Sequence, residues 1–259
     1  MSVTWDLQDG IAVLTIDRQE ALNALNFNLI EVISHKLDEI SAATARGLLI
    51  TGAGDKAFCA GADIKELMGR DLMVQRRGAE LGQATFAKIA AMNIPSVALI
   101  NGYAFGGGLE MALACTFRLA VPAAKMGLPE IKLGLIPGYG GTQRLPRLIG
   151  EGRALDMVLT GRTVDAEEAL AMGLINRIVA AEAGADPMAE AAAFLGQVTC
   201  HGLPAIAFAK DAVTRALDLP IHEGLKIEAD LSTLAFQTED AAEGLTAFVE
   251  KRKPTFKDR

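Results

Sequence analysis

Residues 101–116 read N-G-Y-A-F-G-G-G-L-E-M-A-L-A-C-T, and this stretch decides how the chain around it folds. The apolar run before it, 96–100, predicts a buried strand. Three glycines, 106–108, follow a short loop, and the residues after them have a helix-forming composition. The sequence therefore predicts a strand, a glycine turn and a helix in that order.

Two interpretations of the glycine turn stay open on this stretch alone. Glycines allow another backbone or a ligand to come very close, and the N–H groups at a helix start attract a negatively charged oxygen. Glu110 stands in the first turn, beside that position. In the alternative, the glycines only permit tight helix packing and Glu110 complements the helix dipole.

Composition places the chain among globular proteins with a sizeable core. It has 259 residues, of which 51% are hydrophobic. The balance of 25 basic and 32 acidic residues gives a net charge of −7, which argues against nucleic-acid binding.

Cysteine and histidine usage argues against a disulfide framework, a metal cage or a Ser-His-Asp triad. The cysteines form no C-x-x-C pair, which fits a reducing, cytoplasmic setting. These scattered residues are Cys59, Cys115, Cys200, His35, His201 and His222. The histidines are interpreted as surface or packing residues.

No targeting or membrane segment is predicted. The N-terminus lacks a secretory signal pattern and an Arg-rich transit segment. Residues 89–109 are uncharged and long enough to span a bilayer, but Asn93, Pro95, Asn101 and four glycines interrupt them. A core segment is the better interpretation.

Apolar runs alternate with helical patterns in the first two thirds of the chain. Strands are predicted at 11–16, 47–51, 96–100, 117–121 and 174–179. Helices between them include one over Ile30, Ile33, Leu37 and Ile40, one over 72–91, and one capped by Asp165. This alternation predicts an α/β fold with mostly parallel, buried strands. Beyond residue 180 only helical patterns remain, so we expect an α/β core over 1–190 and a helical part over 191–259.

The candidate chemistry lies in two loops and one apolar segment. Ala62, in the loop 57–67, and Gly107 each offer a backbone N–H beside small residues. Two such donors on one oxygen form an oxyanion hole. Glu130 lies in G-L-P-E-I-K-L, whose apolar residues predict a raised pKa suited to proton transfer. Two carboxylates at one site can divide acid and base work.

Four segments together resemble the crotonase superfamily, and most closely its enoyl-CoA hydratases. They are A-F-C-A-G-A-D-I-K-E-L at 57–67, G-Y-A-F-G-G-G-L-E-M-A at 102–112, the 21 residues 127–147 that begin G-L-P-E-I-K-L-G, and A-F-V-E-K-R-K-P-T-F at 247–256. The resemblance implies a spiral of repeated β-β-α units with a helical C-terminal trimerisation region. It also implies a homohexamer built as a dimer of trimers.

The resemblance assigns roles residue by residue. Ala62 and Gly107 match the oxyanion donors, and Glu110 and Glu130 match the catalytic glutamates. Other positions match the acyl-CoA contacts: Ala21, Leu22 and Ala24 at the adenine end, Asp63, Ile64 and Lys65 along the acyl-CoA, and Lys251 near the phosphates. No metal or other cofactor is implied, because coenzyme A is part of the substrate.

Some positions depart from the pattern or allow another interpretation. Glu20 stands where relatives often have a basic residue, and Cys115-Thr116 replaces a common Cys-Asp. Cys59 is interpreted as a packing residue because no histidine is placed to activate it. The charged run containing Lys251 is either a solvated helix end or a CoA phosphate contact.

The function expected from this resemblance is reversible addition of water to a trans-2-enoyl-CoA, giving a 3-hydroxyacyl-CoA in fatty-acid or related acyl-CoA degradation. Another crotonase reaction, such as double-bond isomerisation, is the first alternative, because fold does not fix function. A non-catalytic RNA-binding role is the second alternative, against which the net charge of −7 argues.

Overall fold

The computed structural model describes residues 2–180, 182 and 184–259. Its contacts divide the chain into two compact units. The first runs to Met92 and continues over Ser96–Phe194, and the second holds Asn93–Pro95 and Leu195–Arg259.

The strands belong to the first unit and are numbered here in chain order. They are β1 (Ser2–Gln8), β2 (Ile11–Asp17), β3 (Gly47–Gly52), β4 (Ala57–Cys59), β5 (Ser96–Ile100), β6 (Tyr103–Phe105), β7 (Phe117–Ala120), β8 (Lys125–Gly127), β9 (Val164–Asp165) and β10 (Arg177–Ile178). The α-helices are α1 (Phe27–Ser41), α2 (Ile64–Leu67), α3 (Leu72–Ala91), α4 (Gly107–Ala114), α5 (Gly141–Ile149), α6 (Glu151–Thr160), α7 (Ala166–Ala171), α8 (Pro187–Thr199), α9 (Leu203–Arg215), α10 (Ile221–Ala235) and α11 (Glu239–Glu250).

A six-stranded sheet forms the centre of the first unit, in the order β1-β2-β3-β5-β7-β10. Every pairing from β2 to β10 is parallel, and only β1 runs antiparallel to its neighbour. Every residue of β3 and β5 is buried, as continuous apolar runs predict for parallel strands covered on both faces. The predicted α/β class with mostly parallel, buried strands is confirmed.

A second, four-stranded sheet of very short strands has the order β4-β6-β8-β9. The sequence did not predict β4, β6 or β8, which have three residues each, and it treated the first two as loop. Three residues are too few to show an apolar period, and these strands gain their hydrogen bonds from one another. This sheet matters because β4 and β6 lead into the two loops of interest.

Two other strand predictions need correction. Strand β1 was not predicted, because its residues are mostly exposed and it lacks the apolar run that marks a central strand. The strand predicted over 174–179 is only Arg177–Ile178. Leu174 and Ile175 are buried and both bond to the carbonyl of Ala169, which holds them in a turn after α7.

Several predicted helices are confirmed with their caps. Helix α1 buries Ile30, Ile33, Leu37 and Ile40, and α3 covers the predicted 72–91. Asp165 caps α7 by accepting a hydrogen bond from the N–H of Glu168. An ion pair between Lys88 and Asp38, at 2.6 Å, links α3 to α1.

The second unit is helical, and the C-terminal tail is bound to it. Asp240 is 4% exposed, and its carboxylate accepts hydrogen bonds from the N–H groups of Lys257 and Asp258. Arg252 pairs with Glu243 at 2.6 Å, which holds the start of the tail on α11.

Among the described helices, none taken singly has the length and apolar character of a membrane span. One broken pair, Pro187–Thr199 with Leu203–Arg215, has them when both helices are taken together.

Candidate active site

The glycine turn brings α4 to its start through a backbone conformation that favours glycine. Gly106 has φ +48°, and α4 begins at Gly107. All eight residues of α4 are buried, so its N-terminus lies inside the unit. No described residue accepts a hydrogen bond from the Gly107 N–H, which remains available to an oxygen at the helix N-terminus.

The loop after β4 offers the second N–H. Leu25 bridges to Ala62 in parallel fashion, donating to the carbonyl of Gly61 and accepting from the N–H of Asp63, both at 2.7 Å. These bonds fix the peptides on both sides of Ala62. Within the described residues, the Ala62 N–H itself has no acceptor.

The two loops touch through their backbones, which explains the glycines. A Cβ on Gly108 would lie 2.0 Å from the carbonyl oxygen of Cys59, a distance that no side chain can tolerate. A Cβ on Gly106 would lie 3.8 Å from the Cα of Gly61. The glycines therefore permit close packing, and that packing brings the two loops that carry the Ala62 and Gly107 N–H groups into contact.

Glu110 is held in one orientation by a loop from another part of the chain. Its side chain is 1% exposed, and its Oε1 accepts from the N–H groups of Tyr139 at 2.8 Å and Gly141 at 2.7 Å. Burial raises the pKa of Glu110, and the N–H groups of this loop and the Arg144 guanidinium oppose that rise.

Glu130 lies over the glycine turn. It follows β8 on a short 3₁₀ helix, Pro129–Leu133, and its Oε1 would be 2.6 Å from a Cβ placed on Gly106. Its Oε2 is buried and has no hydrogen-bond partner among the described residues. Burial, and secondarily the charge of Glu110, raises the pKa of Glu130 to about 7. The direction is the one that its apolar neighbours predict.

This arrangement suits the transfer of a proton to carbon beside a carbonyl. Two N–H donors can stabilise an oxyanion, and two carboxyl groups in different environments flank the same turn. Within the described residues there is no cluster of His, Cys, Asp and Glu side chains suited to a metal ion.

Comparison with known proteins identifies the family. The profile of the enoyl-CoA hydratase/isomerase family matches residues 6–259. The chain belongs to this family. It is 41% identical over 256 residues to crotonyl-CoA hydratase of Syntrophomonas wolfei, covering 98% of this chain and 97% of that protein. It is 36% identical to the short-chain-enoyl-CoA hydratase of Clostridium acetobutylicum, covering 100% of this chain and 98% of that protein.

A solved structure of the family supports the same fold. The enoyl-CoA hydratase from Bacillus anthracis is 37% identical, with a TM-score of 0.94 and full coverage of both chains. The parallel sheets and C-terminal helices of this protein are thus those of the crotonase fold.

The other positions that match acyl-CoA contacts of the crotonase superfamily fall into three places. Ala21, Leu22 and Ala24 lie in and after a 3₁₀ turn that follows β2, where Leu22 has φ +52°. Asp63 caps α2, which begins with Ile64 and Lys65. Lys251 ends α11 in the second unit, with φ +58°.

The residues that depart from the superfamily pattern have structural explanations. The Glu20 side chain is 71% exposed, with its Oε1 3.9 Å from the Arg18 Nε. Thr116 exchanges hydrogen bonds with Ser96 at the start of β5, which fixes the chain after α4. Cys59 is fully buried and its pKa is raised to about 12, in keeping with packing. The three histidines are exposed, as interpreted from their scatter.

Sequence reasoning missed the residues that hold these loops. Asn23 is 1% exposed with φ +58°, and its amide donates to the carbonyl of Ala57 at 2.8 Å. Asparagine is the non-glycine residue that most readily adopts this conformation, so an Asn in a loop was the available signal. Nothing local predicted that Tyr139 and Gly141 would bind Glu110.

Proposed function

We propose that this protein is an enoyl-CoA hydratase, which adds water reversibly to a trans-2-enoyl-CoA to give a 3-hydroxyacyl-CoA. The observation that carries the proposal is the pair of carboxyl groups at the glycine turn, with the pKa of Glu130 raised to about 7. Hydration needs one group to activate water and another to protonate carbon, and this pair supplies both. Relatives named as hydratases over nearly the full length support it.

In the proposed mechanism, the thioester oxygen accepts hydrogen bonds from the N–H groups of Ala62 and Gly107. These donors stabilise the enolate that forms as the water oxygen bonds to the β-carbon. Ionised Glu110 accepts the proton that this water loses, and protonated Glu130 delivers its proton to the α-carbon. Transfer of a proton from Glu110 back to Glu130 restores the starting state, so the pair holds one proton throughout.

The remaining assignments follow from the resemblance. Ala21, Leu22, Ala24, Asp63, Ile64, Lys65 and Lys251 contact the acyl-CoA in this proposal. No metal or redox group is needed, because the two N–H donors supply the electrophilic assistance. The setting is the cytosol, and the reaction serves β-oxidation or a related acyl-CoA pathway.

Replacing each glutamate by glutamine tests the function. Glu→Gln keeps the size and removes the acid and base capacity. We expect Glu110→Gln and Glu130→Gln each to lower hydration of crotonyl-CoA by roughly 10²–10⁴-fold. The hydration rate of the double variant is expected to be little lower than that of the slower single variant, because the pair acts as a unit. Loss of the enoyl thioester absorbance measures the rate.

A control and two other outcomes make the experiment decisive. Glu31→Gln, at an exposed site on α1, is expected to leave the rate unchanged. Full activity in Glu110→Gln with none in Glu130→Gln would favour isomerisation, which one carboxylate can perform. Normal activity in both folded variants would favour a non-catalytic role.

A further inference from the structure

The Arg18 side chain connects the two loops that match acyl-CoA contacts. It is 17% exposed, and it follows the last residue of β2. Its Nη1 donates to the carbonyl of Ala24 at 3.0 Å, and its Nη2 donates to Oδ2 of Asp63 at 2.7 Å. One planar guanidinium therefore holds a point in each loop, which a lysine could not do with the same geometry.

One of those two points is rigid for independent reasons. Asn23 Oδ1 accepts from the backbone N–H of Arg18 at 2.9 Å. The Asn23 amide also donates to the carbonyl of Ala57, in β4, at 2.8 Å. The segment up to Ala24 is thus tied to the strand from which the Ala62 loop departs. The hydrogen bond from Arg18 Nη2 to Asp63 then ties Asp63 to this rigid segment.

The second point is adjacent to an oxyanion donor. Asp63 follows Ala62 directly, its N–H bonds to Leu25, and its Oδ1 accepts from the N–H of Lys65 at 3.2 Å. Its carboxylate is therefore committed to Arg18 and to the start of α2. The Ala62 N–H belongs to the Gly61–Ala62 peptide, whose carbonyl accepts from the Leu25 N–H at 2.7 Å. That Leu25 N–H shares a peptide with the Ala24 carbonyl to which Arg18 donates, so Arg18 holds the backbone on both sides of Ala62.

We propose that Arg18 and Asp63 form a positioning pair that aims the Ala62 N–H at the thioester oxygen. The proposal rests on the hydratase function and deepens it. The carboxylate of Asp63 acts by holding the Arg18 guanidinium and the start of α2, and through them the backbone around Ala62. Nearby Glu20 competes little for Arg18, since it is 71% exposed and 3.9 Å away.

Variants of both partners test the pair in hydration of crotonyl-CoA. Arg18→Lys, Arg18→Ala and Asp63→Ala are each expected to lower kcat by roughly 10–10²-fold, because small misplacements of a catalytic donor have effects of this size. KM is expected to change little, since Asn23 holds the adenine-end loop without Arg18. Asp63→Asn keeps an acceptor for Arg18, and we expect it to lose no more than about fivefold. The double alanine variant should be no slower than Arg18→Ala.

A spectroscopic measurement separates positioning from a structural role. Acetoacetyl-CoA forms an enolate that absorbs in the near ultraviolet, and the two N–H donors stabilise that enolate. We expect the enolate absorbance with the unaltered protein and with Asp63→Asn, and its loss with Arg18→Ala and Arg18→Lys. Melting curves establish that each variant is folded. Asp38→Asn, which neutralises the 2.6 Å ion pair with Lys88 between α1 and α3, should keep kcat and the absorbance.

Several outcomes would overturn the positioning pair. A raised KM with unchanged kcat in Arg18→Ala would show that Arg18 serves CoA binding only. Enolate absorbance retained in folded Arg18→Lys and Arg18→Ala would show that the Ala62 N–H needs no such pair. Failure of the unaltered protein to hydrate enoyl-CoA would instead refute the proposed function. The enolate absorbance of bound acetoacetyl-CoA would then still test the pair, because that measurement requires no turnover.

Discussion

At Glu130, a carboxyl group occupies a position where a neutral side chain would be more stable. Its buried Oε2 has no partner among the described residues, and burial raises its pKa to about 7. A buried polar atom without a partner destabilises the folded state. The same desolvation keeps a proton on Glu130 at a pH where an exposed glutamate has lost it, which suits a general acid.

The pH profile of the reaction is the first prediction at this scale. Because Glu110 and Glu130 share one proton, kcat/KM is expected to be bell-shaped and to fall above about pH 7 as Glu130 ionises. The reaction takes up no net proton, so dehydration of 3-hydroxybutyryl-CoA must give the same profile. Initial rates in both directions from pH 5 to 9 measure it. A rate that keeps rising above pH 8 would contradict the role of Glu130 as acid.

The stability of Glu130→Gln is the second prediction. A carboxyl whose pKa is higher in the folded than in the unfolded chain stabilises the fold at low pH. That contribution is lost as the pH rises from its ordinary value of 4.5 through about 7. We therefore expect Glu130→Gln to melt like the unaltered protein near pH 5 and at higher temperature at pH 8. The gain should be roughly 2–4 °C per kcal/mol of relieved desolvation.

Thermal melts followed by circular dichroism at both pH values provide the measurement. Glu31→Gln, on the exposed face of α1, serves as the control and should show no such pH-dependent difference. Equal melting temperatures of Glu130→Gln and the unaltered protein at pH 8 would mean that the carboxylate is not desolvated.

At the scale of elements, the start of α4 has two functions. Its glycines let the backbones of two loops touch, and its first N–H points away from the helix without a described acceptor. Gly107 occupies the first helical position, where proline is favoured because that N–H makes no bond within the helix.

Gly107→Pro is therefore a direct test of the N–H. It removes the donor at a position compatible with the helix, and we expect kcat to fall by the equivalent of about 2.7–4 kcal/mol while CoA affinity is kept. Gly107→Ala is the matched control. Like proline it adds a Cβ, which lies 3.0 Å from the Tyr139 ring, but it keeps the N–H. Steady-state kinetics and CoA titration measure both. Near-normal turnover in folded Gly107→Pro would refute the oxyanion assignment.

At the scale of the whole molecule, the helical unit presents many large apolar side chains to solvent. Phe248 is 85% exposed and Val249 is 79% exposed. Others on α9 to α11 that are more than half exposed are Val213, Ile221, Leu225, Leu234 and Leu245. An apolar surface of this extent is typical of an interface between subunits.

Assembly as a hexamer is the prediction at this scale. We expect light scattering after gel filtration to give six times the chain mass of 27.3 kDa. The double change Phe248→Glu and Val249→Glu should reduce the assembly size, because it places charges on the apolar surface. Leu7→Glu, on the edge strand β1, is the control and should leave the hexamer intact. A monomer at micromolar concentration would rule the assembly out.

The sequence by itself determined the elements whose signal is local. Helix α3 and strand β5 have the predicted bounds. Their residue patterns alone indicate the type of element and its extent, whatever it packs against. The sequence motifs also picked out Glu110 and Glu130 before their surroundings were known. Their residue types at a glycine turn and in an apolar segment were sufficient for that.

Only the tertiary structure decided how these residues are held. The short strands β4, β6 and β8 form because they pair with each other. With three residues each, they are too short to show a pattern in the sequence. Glu110 bonds to Gly141, 31 residues away, and Arg18 bonds to Asp63, 45 residues away. A local pattern records whether a residue is buried or exposed. Which N–H or guanidinium meets a carboxylate depends on where distant segments come together, and no pattern within either segment records that.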